Sequence, residues 1–264
     1  MALPIRCRLG VMAELRVMTW NVRGAHQPDL DELAGRILAA HPDVVGIQEI
    51  RRRQASTLAA RLRWHHHWAV KHYGYGPLVW MAEGMAVLSP NPLVSHARVV
   101  LNPGSRPWSH HRRIIELTRM QHPDGEMFIV NAHLASHQAP AERARQATTV
   151  AEVVRRQNTD RLPTIIIGDL NAADEPTTLE PLVALGLCDA WCISEDCPVR
   201  SASGFTNPSE RPSQRIDYVL VPAALSVDGV DVPVGGSEWA SLSDHLPVVA
   251  RLRVREQISA NGGQ

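Results

Sequence analysis

Short apolar runs that stop at polar residues recur along this chain, separated by stretches with helical spacing. Residues 15–20 (LRVMTW) alternate as a strand does and exit at Asn21, Val22, Arg23 and Gly24. Residues 28–40 place Leu30, Leu33, Ile37 and Leu38 on one stripe, which predicts a helix with Pro28 near its first turn. A buried strand follows at 43–47 (DVVGI), ending at Gln48 and Glu49, then a helix at 54–62 and a short strand at 68–71. Further strands are expected at 84–89 (GMAVLS) after Glu83, at 114–117 (IIEL) after Arg112 and Arg113, and at 127–134 (MFIVNAHL). An amphipathic helix at 140–157, a strand opening at Pro163, a helix at 176–185, and strands at 216–221, 227–232 and 248–254 complete the pattern. Residues 71–80, 101–111, 193–214 and 235–241 read as loops.

The stretch 165–172 (IIIGDLNA) organises the rest. Three β-branched residues run into Gly168, Asp169, Leu170 and Asn171, the form of a buried strand delivering polar side chains to its C-terminal edge. If the backbone stays extended, Asp169 and Asn171 share a face, where a carboxylate beside an amide suits a hard metal ion or a phosphoryl oxygen. The same residues also form ordinary turns. Other strand ends carry matching pieces: Asn21, Glu49, His133, Asp217, and Asp244 with His245. Carboxylates, asparagines and histidines without cysteine are the ligand set for Mg²⁺ or Mn²⁺, and hydrolysis of a phosphate ester needs a metal, a base and charge-stabilising donors.

The chain of 264 residues has room for one large α/β domain, expected at 12–256 between a ragged extension at 1–11 and a tail at 257–264. With 27 basic and 27 acidic residues it has no global charge with which to wrap nucleic acid, although Arg51, Arg52, Arg53, Arg106, Arg112 and Arg113 can form a local track. Cys7, Cys188, Cys192 and Cys197 lack zinc-site spacing and read as reduced thiols in a loop. No run of about 18 apolar residues and no secretory apolar segment is visible, which gives an expectation of a cytoplasmic protein.

The ordered set TWN, IQE, EGMAVLS, NAHL, GDLNA, RIDYVLV and SDHLP resembles the endonuclease/exonuclease/phosphatase superfamily, over nearly the whole chain from Arg16 to Val254. The resemblance implies an α/β fold, a four-layered sandwich of two mixed β-sheets face to face with helices on the outside, and a divalent-metal phosphoesterase. It implies that Glu49 binds the metal, Mg²⁺ or Mn²⁺, with Asn21 beside it and Asp244 able to serve it. Asp169 and Asn171 match the pair that orients the attacking water and contacts phosphate. His245 matches the histidine acting as base or phosphate-stabilising acid, oriented by Asp217. His133 with Glu83 would form a second acid/base pair, and Arg113 or its neighbour Arg112 would lie near the phosphate.

The shared core does not choose a substrate, which can be a small molecule, a lipid head group or nucleic acid. Specificity is expected in the loops holding Tyr73, Tyr75, Trp80, Trp108 and Trp239. The expected function is metal-dependent hydrolysis of a phosphodiester or phosphomonoester, with a DNA or RNA nuclease as one alternative. A catalytically silent binding protein on the same fold is another, and no obligate protein partner is evident.

Overall fold

The computed structural model describes residues 14–74, 81–136, 138–173, 175–194 and 204–254. The expectations for Cys7, Cys197, Tyr75, Trp80 and both terminal segments fall outside the described residues. Among these residues, twelve strands form two six-stranded mixed sheets. The first sheet holds β1 (Leu15–Asn21), β2 (Val44–Arg51), β3 (His65–His72), β4 (Glu83–Ser89), β11 (Leu225–Asp231) and β12 (Val248–Val254), in the order β11-β12-β1-β2-β4-β3. The second holds β5 (Leu93–Val100), β6 (Ile114–His122), β7 (Gly125–His133), β8 (Thr164–Asp169), β9 (Leu187–Asp189) and β10 (Asp217–Pro222), in the order β5-β6-β7-β8-β10-β9.

Four layers follow from where the apolar side chains point. Helices α1 (Leu30–Ala40) and α2 (Arg52–Leu62) pack Leu33, Ile37, Leu58 and Leu62 onto Met18, Trp20, Val45 and Ile47, the outer face of the first sheet. On the far side, α3 (Pro140–Gln157) and α4 (Pro176–Val183) cover Ile115, Leu117, Val130 and Ile166 with Ala147, Val150, Val154 and Leu182. Between the sheets lie Val17, Val44, Val87, Ile129, Ile165, Ile167, Val219 and Ala250. Strand alternation explains the division within β8: Ile165 and Ile167 face inward, Ile166 faces the helices, and Asp169 inherits the inward direction. The fold is the expected four-layered α/β sandwich.

Several boundaries differ from the sequence reading for local reasons. α1 begins at Leu30 because the Asp29 side chain caps it, accepting from the backbone N–H groups of Asp31 (2.8 Å) and Glu32 (3.2 Å). β2 does not stop at Ile47 but runs to Arg51 through an irregularity at Gln48 and Glu49. β5 was not anticipated: it is an edge strand whose residues 94–98 are exposed, and Ser95, His96 and Arg98 interrupt its apolar positions. Cys188 and Cys192 lie in β9 and in α5 (Ala190–Ile193), not in a loop.

One polar network crosses the core. Gln48 Nε2 donates to Asn131 Oδ1 (2.7 Å), and Asn131 Nδ2 donates to the carbonyls of Ile47 (3.2 Å) and Ala86 (3.0 Å) on the opposite sheet. Asn131 Nδ2 also reaches Glu116 Oε2 at 3.4 Å, and His96 Nε2 lies 3.1 Å from Glu116 Oε1. Asn131 shares the inner face with His133, as their spacing predicts, but it is spent joining the sheets. Burial pushes the fully enclosed Glu116 carboxyl up to about 7, against the opposing effects of His96 and Asn131. An acid that holds its proton more tightly when folded favours the folded state while protonated. That contribution, on the order of 3 kcal/mol, is lost as pH rises from 4.5 through about 7. Glu116→Gln is therefore expected to flatten the fall in melting temperature between about pH 5 and about pH 8 relative to wild type. Parallel melting profiles for the two proteins would contradict this role.

Candidate active site

The site grows out of strand register at one end of the sandwich. In the second sheet Ile114 opposes His133, His133 opposes Asp169, and Asp169 opposes Asp217, so residues of four adjacent strands stand in one rank. His133, Asp169 and Asp217 are each at most 2% exposed. Gly168 makes the crowding possible: its φ is +144°, and a Cβ there would sit 1.9 Å from the Ala132 carbonyl oxygen.

The first sheet answers with Asn21 and Glu49. Strand alternation puts Thr19 and Asn21 inward, while Met18 and Trp20 pack outward. Glu49 would face the helices by the same count, since Ile47 does. Instead it adopts φ +55° inside the irregularity of β2, which costs on the order of 1–3 kcal/mol for a residue with a Cβ. The carboxylate then lies 3.8 Å from His133 Nε2. Asn21 Nδ2 donates to Asp169 Oδ2 at 3.1 Å across the two sheets.

His245 arrives on the loop before β12 and is held from three directions. Its backbone N–H donates to Ser243 Oγ (3.1 Å), Ser243 Oγ donates to the Asn21 carbonyl (2.6 Å), and Trp20 Nε1 donates to the His245 carbonyl (2.9 Å). The ring Nδ1 lies 2.9 Å from Asp217 Oδ2, which leaves Nε2 facing Asp169 Oδ2 at 3.9 Å. Burial alone would lower the imidazole, but the carboxylates of Asp217 and Asp169 outweigh it and hold it up at about 10. Burial pushes Asp169 up to about 7, with Asp217 and Glu49 adding to the rise and His245 and Asn21 opposing it. His133 goes the other way: burial, then the charges of Arg113, Lys71 and His245, keep it well below the usual histidine range. Its Nδ1 has no hydrogen-bond partner among the described residues.

Other expected site residues are placed differently. Asn171 does not continue the strand: at φ +52° it turns, its N–H donating to Asp169 Oδ1 (2.9 Å) and its Nδ2 to the Leu134 carbonyl (3.2 Å). Glu83 is ion-paired with Lys71 rather than hydrogen-bonded to His133, a partner the sequence reading missed. Arg113, not Arg112, is the arginine whose charge interacts with Glu49 and Asp169, and its guanidinium is anchored on the carbonyls of Leu134 (2.8 Å) and His110 (2.7 Å). Asp244 sits at the rim with its carboxylate on Arg23 Nη1 at 3.1 Å. Trp239 packs edge-on against Trp20 as part of the body, whereas Tyr73 and Trp108 are exposed, on segments joined where Tyr73 N donates to the Pro107 carbonyl (2.9 Å).

Chemically, the arrangement offers a buried histidine with a carboxylate partner, a second carboxylate poised near neutrality, and an excess of negative charge around them. Ligand atoms of Asp169, Asp217 and His245 lie within 4.8 Å of one another, and Asp217 Oδ1 has no hydrogen-bond partner among the described residues. With Glu49 beside them, the oxygen-rich set fits a hard divalent cation.

Two facing mixed sheets with helices on both outer faces define a four-layered α/β sandwich protein with a buried acid/base cluster at the common end of the sheets. The chain belongs to the endonuclease/exonuclease/phosphatase family, whose model matches residues 18–245 and whose members are metal-dependent phosphoesterases. Solved structures agree. An endonuclease/exonuclease/phosphatase from Beutenbergia cavernae is 25% identical with TM-score 0.70, covering 91% of this chain and 72% of that one. The Bacteroides thetaiotaomicron mannosyl-6-phosphatase is 21% identical with TM-score 0.71, covering 90% and 99%. D. rerio TDP2 complexed with single strand DNA product is 15% identical with TM-score 0.72, covering 92% and 100%. No curated protein matches the sequence.

The contact between His245 and Asp217 generates a direct expectation. Asp217→Asn removes the charge that most strongly favours imidazolium, so the His245 titration followed by NMR should fall markedly from about 10. An unchanged titration would mean that the 2.9 Å contact does not govern this histidine.

Proposed function

We propose that this chain hydrolyses phosphate esters with the aid of Mg²⁺ or Mn²⁺, water attacking phosphorus at the cleft end bounded by Asp169, His133 and His245. The observation that carries the reading is the buried line Asp217–His245–Asp169, closed by one hydrogen bond of 2.9 Å and one approach of 3.9 Å, beside Glu49. Glu49 and Asn21 would hold the ion next to Asp169, with Asp244 at the rim. When bound, the cation neutralises phosphoryl charge and offsets the repulsion among the carboxylates.

The chain's own residues account for the remaining steps. Asp169, raised toward neutrality, accepts a proton from the attacking water at Oδ2, and Asn171 keeps that carboxylate oriented through its N–H on Oδ1. His245, held as imidazolium by Asp217, presents Nε2–H to the charge developing on a phosphoryl oxygen. His133 remains neutral and contributes a hydrogen bond at Nε2 without adding charge. Arg113 lends a fixed positive charge to the same wall.

Three measurements bear on the reading. Purified protein with Mg²⁺ or Mn²⁺ is expected to hydrolyse an activated phosphoester, and a chelator to stop it reversibly. Asp169→Asn and His245→Ala are each expected to lower turnover by about 100-fold or more with the melting transition retained. Full turnover in either variant would eliminate the mechanism, and turnover in excess chelator would eliminate the metal.

A further inference from the structure

In the first sheet β3 carries a buried lysine, Lys71. β3 runs antiparallel to β4, and their register slips by one residue at Lys71: Val70 opposes Gly84, whereas His72 opposes Glu83. Gly84 permits the close approach, since a Cβ there would meet the Ala69 carbonyl oxygen at 2.2 Å and the Trp68 ring at 2.7 Å. On its other edge β4 meets the irregularity of β2 that redirects Glu49. Bulges re-aim side chains. Here two of them flank one strand, and Lys71 and Glu49 both lie at the end of the sheet where the catalytic cluster opens.

Lys71 is 3% exposed and ion-paired with Glu83. Two residues from each partner along its strand, Ala69 and Met85 form a small apolar cluster with Ile114, and Arg113 immediately precedes Ile114 on the facing sheet. Enclosing an ammonium group is costly unless it is paired and hydrogen-bonded. Among the described residues Glu83 alone bonds this one, which leaves donors of the ammonium unspent. Lys71 and Arg113 against Glu83 give this end one more positive than negative group, the reverse of the end formed by Asp169, Asp217 and Glu49. His133 stands between the two ends, 3.6 Å from Asp169 and within reach of the charges of Arg113 and Lys71.

We infer that Lys71 is a specificity-determining residue that donates to the third non-bridging oxygen of the scissile phosphoryl group, so that the site takes phosphomonoesters in preference to phosphodiesters. The inference rests on the phosphoesterase reading above. A monoester phosphate carries close to two charges at neutral pH and three non-bridging oxygens, whereas a diester carries one charge and two non-bridging oxygens, its third oxygen being esterified to a second carbon group. Only the monoester gives the spare Lys71 donors a charged acceptor. Glu83 holds the ammonium in position and shares it with the phosphate.

The test uses the whole chain with Mn²⁺, p-nitrophenyl phosphate and bis(p-nitrophenyl) phosphate as substrates, and orthophosphate binding measured by calorimetry. Wild type is expected to favour the monoester. Lys71→Met is expected to lower kcat/KM for the monoester by about tenfold or more, with a similar loss of orthophosphate affinity and little change on the diester. Because this change strands Glu83, Lys71→Met/Glu83→Gln is made in parallel, with circular dichroism and melting to confirm the fold. The double variant is expected to keep the altered monoester-to-diester ratio. A ratio unchanged in both variants, or restored by the second substitution, overturns the inference and leaves the phosphoesterase reading standing. So does a wild type that prefers the diester. A wild type that cleaves neither ester overturns both.

Discussion

Asp169 and Asp217 oppose each other across β8 and β10, both shut away from water, and two neighbouring carboxylates in such a place repel. The rest of the site is arranged around that repulsion. His245 lies against Asp217 and approaches Asp169, so that one imidazolium serves two anions. Asn21 reaches across from the other sheet to bond Asp169, and the turn at Asn171 supplies its other oxygen with an N–H. What these contacts leave unbalanced is the charge that fits a divalent cation beside Glu49. Burial of the acids in the sheet rank thus determines both the raised Asp169 and the need for a counter-charge.

The two sheets contribute differently. The second supplies regularity: paired strands carry His133, Asp169 and Asp217 in register, so their positions follow from ladder geometry alone. The first supplies departures from regularity, at Glu49 in β2 and at Lys71 in β3, each adjoining β4. A regular rank on one sheet thus faces a wall shaped by backbone strain and by a slip in register on the other.

Much of this was legible in the sequence because apolar runs ending in polar residues mark strands that carry site residues to a common edge. IIIGDLNA showed Asp169 directly, since Ile165 and Ile167 set the face that Asp169 shares. The conformation at Asn171 stayed open in the sequence because an extended backbone and a left-handed turn use the same residues, and the turn is shown by its φ of +52° and by its N–H on Asp169. The partner of Glu83 was out of reach for a different reason. Lys71 lies twelve positions away, where the short strand read at 68–71 meets the loop read at 71–80, and no local pattern signals that a register slip will bury it beside a glutamate. β5 gave no clear alternation, because Ser95, His96 and Arg98 interrupt apolar positions of which only those at its ends are partly buried.

The placement of β12 has a consequence for how the molecule comes into being. The last strand is not an edge: it inserts between β11 and β1, pairing with the first strand in the middle of its sheet. The loop before it carries His245 onto Trp20 and, through Ser243, onto Asn21, contacts that span more than two hundred residues of chain. Contacts this distant in sequence close late and slowly in folding. Docking of β12 beside β1 and delivery of His245 to Asp217 and Asp169 are therefore one structural step.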